Sequence, residues 1–375
     1  MSVFARAFAA NLVAGLLTAC ALSQSSPLDD RHDGLPVAST QEEGLDPAPF
    51  AALDAAVAHG DYPKTTSVLV VRYGGLVHAG YFGEGSPDLL NNTRSATKSI
   101  TSLAVGEAIR DGAIGSVHAP AFSFLADLRP FRNDTREKEA ITIEDMLTMS
   151  SALDCNDDED ASPGNEDNMH PQPNWSRWAV DLPTMKGYAR DAAGLGPWRY
   201  CTTNAFLLGQ VLGRATHTPV DRYIERTLLR PLGISKWQWS YSPAGEPMTG
   251  GGLLLRSRDF AKIAAMLVDK GRWRGREIVP AAWIDAAFTA RRHAYPGLAY
   301  GYFFWEHMYK RACGPVEGWY MAGNGGNAIV ILRSLDAAIV VTRENYSTPG
   351  MHQQTTDLIE RYVLPAFPCG RRGAS

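Results

Sequence analysis

Basic blocks are missing from this sequence. No stretch concentrates lysine and arginine, no aromatic stripe interleaves with basic residues, and the formal net charge is −4. Nothing here offers a surface to a nucleic-acid backbone. Long apolar runs are missing after the first twenty residues, which leaves no later segment suited to a membrane-crossing helix. Cys-x-x-Cys pairs and cysteine–histidine spacings of the zinc type do not occur. Gly-x-Ser-x-Gly is absent as well, which disfavours the nucleophile elbow of an α/β-hydrolase. No internal repeat is visible. What is present is 375 residues, 45% hydrophobic and 20% charged, enough for a large core in one big domain or two lobes.

The N-terminus carries Arg6 and then a short apolar run, Phe8 to Leu17, ending in Leu17-Thr18-Ala19-Cys20. The run is too short to span a bilayer and reads as an export signal over residues 1–19. The last four residues resemble the lipobox of bacterial lipoproteins. That resemblance implies an acylated Cys20, a periplasmic protein and attachment to the membrane by lipid alone; cleavage near Ala19 to Ala21 is the other reading. Residues 20–43, rich in Ser, Pro and Asp, read as a flexible tether. Cysteine usage agrees with export, because Cys155, Cys201, Cys313 and Cys369 are an even set suited to disulfides. Four cysteines allow three connectivities, and spacing does not choose among them.

The stretch that organises the chain is Thr93 to Leu103, in which Ser95 precedes Lys98 by three residues. Ile100, Leu103, Ala104, Ala108 and Ile109 recur at helical spacing until Asp111-Gly112, so both residues fall at a helix start and share a face. A serine hydroxyl is a weak nucleophile until a base takes its proton. A lysine becomes such a base when its surroundings lower its pKa. The free N–H groups at the helix start can hold a developing oxyanion. The bland alternative is an ordinary helix start with a solvated lysine, and Ser-x-x-Lys alone does not decide between them.

Ahead of that helix, Asp46-Pro47 opens a helical pattern that Gly60 ends. Ser67 to Tyr73 and Leu76 to Phe82 flank Gly74-Gly75 as a hairpin. Thr142 is placed as the N-cap of a further helix. The acidic loop Ser151 to Pro173 lacks calcium-binding spacing and reads as a solvated loop, pinned at Cys155 and bordering a cleft. Tyr200 precedes a helix beginning near Asn204, on a loop from which its phenol can reach a site and pass protons. Gly250-Gly251-Gly252 reads as a place where backbone is crowded rather than as a phosphate cradle. Strands are expected over Tyr300 to Trp305, Ala328 to Leu332 and Ala337 to Thr342, with Tyr320 to Asn327 a glycine-rich approach to an inner strand. Strands at both ends of the chain and helices between them predict an α+β fold: a sheet lobe from 44–92 and 235–368, and a mainly helical lobe from 93–234 inserted in it.

Ser95-x-x-Lys98, then Tyr200-Cys201-Thr202, then Met321-Ala322-Gly323 before paired strands form an ordered set. In that set the chain resembles the serine β-lactamase and penicillin-binding-protein superfamily, and most of all the class C β-lactamase-related esterases, D-aminopeptidases and 6-aminohexanoate-dimer hydrolases. The resemblance covers roughly Pro47 to Leu364. It implies a β-lactamase/transpeptidase-like fold with an antiparallel sheet flanked by helices. It implies Ser95 as nucleophile, Lys98 as general base and Tyr200 in proton transfer, on a small ester or amide substrate, with no cofactor and no metal. The oxyanion hole would be the N–H groups of Ser95 and Asn324, with Thr202, Met321 and Gly323 at the substrate. Cysteines placed like Cys155 and Cys201 occur together in relatives, which favours that pair as a disulfide and leaves Cys313 with Cys369. Two departures stand out: Thr202 where many relatives have Asn, and Met321 where Lys or His commonly binds a substrate carboxylate. They point away from efficient β-lactam hydrolysis. The competing reading is a catalytically weak relative that binds cell-wall peptide or a signal molecule.

Overall fold

The computed structural model describes residues 28–370. The export signal at 1–19 and Cys20 lie outside the described residues. The main sheet is built from β1 (Thr65–Arg72), β2 (Gly75–Tyr81), β3 (Arg292–Tyr295), β4 (Leu298–Tyr300), β5 (Trp305–Tyr309), β6 (Val316–Gly323), β7 (Asn327–Leu332) and β8 (Ala337–Arg343). Its order is β2-β1-β8-β7-β6-β5-β4-β3, and neighbouring strands run antiparallel. The N-terminal hairpin thus lies directly beside the C-terminal strand.

The central strands are apolar on both faces because both faces are covered. Val68, Val70, Ile339 and Val341 point into one core, formed with α1 (Ala48–His59) and the C-terminal helical segment. Leu69, Val71, Ile329, Ile331 and Val340 point the other way, into a larger core with the helical body. Alternate residues serve opposite cores, as a pleated strand requires. Within the larger core run α2 (Ala96–Arg110), α3 (Thr202–Ala215) and α4 (Ser257–Val268). Helix α2 is buried from Ala96 through Ala108. It is packed between α3 and the sheet, so its first turn meets the end of β6. Between residues 93 and 237 the chain forms helices and isolated bridges but no longer strand.

Several expectations shift by a residue or more. The hairpin turn is Tyr73-Gly74, both at positive φ, with Gly75 already paired to Arg72. The strand expected over Tyr300 to Trp305 is broken. Gly301 turns so close to the Ala287 carbonyl that a Cβ there would lie 2.1 Å from its oxygen.

The described part of the expected tether is not free. Leu35 is buried, Val37 bridges to Leu76, and Asp33 pairs with Arg258 at 2.9 Å and Lys262 at 3.1 Å. One apolar side chain and one carboxylate between two buried cations dock a segment whose Ser/Pro/Asp composition suggested otherwise. Burial raises the Asp33 carboxyl, but the hydrogen bond from Arg258 and the Lys262 ammonium together hold it down at about 2.

Cys155 is bonded to Cys201 and Cys313 to Cys369. Among the described residues, no helix is long and apolar enough to cross a membrane, and no grouping of His, Cys, Asp or Glu is arranged to hold a metal ion.

Candidate active site

Ser95 caps the start of α2 in a helical conformation, one turn from Lys98. The Lys98 ammonium reaches Ser95 Oγ at 2.8 Å and donates to the Gly250 carbonyl at 2.7 Å. Its side chain is fully enclosed. Burial lowers its pKa, and the carboxylates of Glu166 and Asp157 oppose part of that shift. The Nζ atom also sits 5.0 Å from the centre of the Tyr200 ring. Burial holds the Tyr200 phenol well above its usual pKa, while a hydrogen bond with Ser95 opposes the shift. Hydroxyl and phenol therefore line one cavity with the amine buried directly behind them, and the phenol keeps its proton at neutral pH.

Tyr200 is placed by its surroundings rather than by a helix. The bond from Cys201 to Cys155 and the Asp157 N–H donated to the Tyr200 carbonyl at 2.7 Å tie it to the acidic loop. Asp157 in turn accepts from the Thr202 N–H at 2.6 Å and the Glu166 N–H at 2.9 Å. Desolvation, with Glu166 nearby, raises the Asp157 carboxyl to about 6 in spite of Lys98. The tip of the loop, Asp158 to Ala161, is solvated. Asn156, Ser162 and Asn165 at its base are buried, and Asp157, Asp158 and Glu166 line the cleft.

The opposite wall is the end of β6. Gly323 runs so close to the Ser95 turn that a Cβ would lie 1.7 Å from the Thr93 carbonyl oxygen and 3.3 Å from the Ser95 nitrogen. Asn324 follows it and lines the cavity. Neither the Ser95 nor the Asn324 N–H donates to any carbonyl or side chain among the described residues. The cavity, about 390 Å³, is completed by aromatic rings. Trp305 stacks on Tyr200 at 5.9 Å and on Tyr295 at 5.8 Å between ring centres.

Ser95, Lys98, Tyr200, Gly323 and Asn324 come together, whereas two residues expected at the substrate do not reach it. Met321 is fully buried in the larger core, because alternation along β6 turns Tyr320 and Ala322 to the cavity and Met321 away from it. Thr202 is fully buried beside Gly250, where a Cβ would meet its Cγ2 at 2.6 Å. It packs behind the acceptor of Lys98 instead of facing the cleft.

Three features were not foreseen from sequence: the Gly250 carbonyl as the second partner of Lys98, Asp157 as the brace of Thr202 and the acidic loop, and Trp305 as the aromatic wall. Gly250 had a signal in its glycine triplet, and Asp157 in the acidic loop expected to border a cleft.

Residues 53–360 match the family model Beta-lactamase. A 6-aminohexanoate-dimer hydrolase of Paenarthrobacter ureafaciens is 25% identical over 278 residues, 69% of this chain and 65% of that relative, so the match spans slightly less than two thirds of the relative's length. Among solved structures, EstCE1, a hydrolase with promiscuous acyltransferase activity, aligns with TM-score 0.64 and 14% identity over 84% of this chain and 99% of its own. A D-stereospecific amidohydrolase from Streptomyces aligns with TM-score 0.60 and 18% identity over 82% and 97%. At these identities the likeness is one of fold. With a family model covering most of its length, the chain belongs to the Beta-lactamase family.

Proposed function

We propose that this protein is a serine hydrolase that cleaves a small ester or amide through an acyl-enzyme on Ser95. The observation that carries this reading is the 2.8 Å approach of an enclosed, pKa-lowered lysine to a serine hydroxyl at a helix start.

A neutral Lys98 donates one N–H to the Gly250 carbonyl and keeps its lone pair for the Ser95 proton. Ser95 Oγ then attacks the substrate carbonyl carbon and its proton passes to Lys98 Nζ. The oxygen that takes up the charge lies between the N–H groups of Ser95 and Asn324, both free for it. Because burial keeps Tyr200 protonated, its phenol donates to the departing oxygen or nitrogen and recovers a proton from Lys98. Water attacks the resulting ester, the same groups serve in reverse, and acid and free Ser95 are released. The names of the relatives, a 6-aminohexanoate-dimer hydrolase and a D-stereospecific amidohydrolase, support this class.

The charges around the cleft narrow the substrate. Asp157, Asp158 and Glu166 line it, and no lysine or arginine does among the described residues. A carboxylate beside the scissile bond would meet like charge and find no cation. Neutral or positively charged acyl groups fit better, with an apolar portion against Trp305 and Tyr295.

Ser95→Ala should abolish both fluorophosphonate labelling and hydrolysis of p-nitrophenyl acetate, with a loss of at least ~10³-fold. Labelling that persists at another serine would overturn the assignment. Labelling at Ser95 without turnover of any ester or amide would favour the binding protein instead.

A further inference from the structure

A second cavity, of about 370 Å³, lies at the other end of the sheet. Three hairpin turns meet there: Tyr73 after β1, Arg311 to Cys313 after β5, and Ser334 to Asp336 after β7. The segment Phe367 to Gly370 closes it, held by the Cys313–Cys369 bond. Strand β7 alone separates the two ends by about 20 Å, so this cavity is not part of the Ser95 cleft.

Arg72 is only 6% exposed, yet two of its three guanidinium nitrogens, Nε and Nη1, have no hydrogen-bond partner. The third, Nη2, donates to the Tyr73 hydroxyl at 3.2 Å, and the guanidinium lies 4.9 Å from the Tyr73 ring centre and 5.1 Å from that of Phe367. Arg311 reaches into the same cavity and donates only to carbonyls, of Phe367 at 3.1 Å and Pro368 at 3.0 Å. Burial, and then the charge of Arg72, lower its pKa. Asp336 is the one carboxylate on the rim, and it forms no ion pair with either arginine among the described residues. Two guanidiniums therefore line one space with no ion-pair partner among the described residues. Buried charges are ordinarily paired, and a guanidinium's N–H fork matches the oxygens of carboxylate and phosphate.

We propose that the cavity between Arg72 and Arg311 binds a small oxyanion, a phosphate or a carboxylate group. The rings of Tyr73 and Phe367 hold the Arg72 guanidinium in place, so its positive charge is fixed behind the cavity wall while Arg311 lines the same space. The site is independent of the Ser95 reading and stands even if that reading fails.

Calorimetric titration of the full chain with inorganic phosphate, and separately with acetate, tests it, with ionic strength matched by sodium chloride. Saturable binding of either anion is expected, and which one binds identifies the group. Arg311→Gln should weaken it at least about tenfold, as loss of a charged hydrogen-bond partner does, with p-nitrophenyl ester hydrolysis unchanged. Arg72→Gln should weaken it similarly; if that buried substitution prevents folding, Arg311→Gln decides alone. No saturable binding of either anion, or equal affinity in the folded variants, would overturn the proposal.

Discussion

Replacing Gly323 with alanine tests whether the end of β6 and the Ser95 turn act as one unit. The new Cβ would stand 1.7 Å from the Thr93 carbonyl oxygen, where ordinary contact begins at 3.4 Å. The obstacle is backbone, so no side chain can swing aside. Strand and turn must separate by about 1.7 Å, carrying the Asn324 N–H away from that of Ser95. A misplacement of about 1 Å can cost on the order of 10²-fold in rate, and loss of one oxyanion donor about 10²- to 10³-fold. We therefore expect kcat for p-nitrophenyl acetate to fall about 10²-fold, with KM changing much less. Overpacking of this kind costs about 1–3 kcal/mol of stability, which thermal denaturation followed by circular dichroism will register without loss of the fold. Gly115→Ala is the control, because nothing lies within 4 Å of its added Cβ, and it should leave both rate and stability unchanged. A folded Gly323→Ala protein turning over within threefold of wild type would show that the close approach has no part in the reaction.

Two further substitutions probe charge. Asp157→Asn removes a carboxylate that raises the Lys98 pKa against burial. The acid limb of kcat/KM, which reports the amine losing its proton, should sit below the ordinary lysine value and move to still lower pH in the variant; a move upward would rule out Lys98 as the base. Asp33→Asn removes the carboxylate that docks the N-terminal segment. A carboxyl lowered from 3.8 to about 2 contributes about 2 kcal/mol above its unfolded pKa, lost as pH falls through the folded value. Urea denaturation should show that deficit at pH 7 and little difference near pH 2; equal stability at pH 7 would mean the ion pair contributes nothing.

Geometry set by neighbouring residues was legible from sequence. Ser95 and Lys98 sit one helical turn apart, and helical spacing alone puts them on one face. Thr142 caps its helix with a reciprocal bond to Asp145, a pattern written in four consecutive residues. The β1–β2 hairpin was visible in its two apolar runs, although its turn falls one residue earlier than the two glycines suggested. The parts that stayed hidden depend on long-range contact. Nothing adjacent to Gly250 in sequence announces that its carbonyl faces a lysine 152 positions earlier. Met321 was assigned to the substrate by motif position, but which way it points depends on the pleat of β6 and on the core behind it. The docking of Asp33 depends on Arg258 and Lys262, more than 220 residues away, so its loop-like composition was misleading. Trp305 could be recognised as aromatic, but not as a wall of the cleft, until β5 had its neighbours.

The reacting constellation also bears on when during folding activity can arise. Hydroxyl and amine come from one helical turn near residue 95, the phenol from residue 200, the carbonyl that steadies the amine from residue 250, and the second N–H from residue 324. On the proposed mechanism, a nascent chain that has emerged only to residue 300 would hold the nucleophile and its base but lack one of the two N–H groups for the negative oxygen. Because β6 is paired on both sides, the proposed hydrolytic competence would require the sheet to be complete through its neighbours. Truncated or half-assembled molecules would remain chemically silent instead of cleaving indiscriminately.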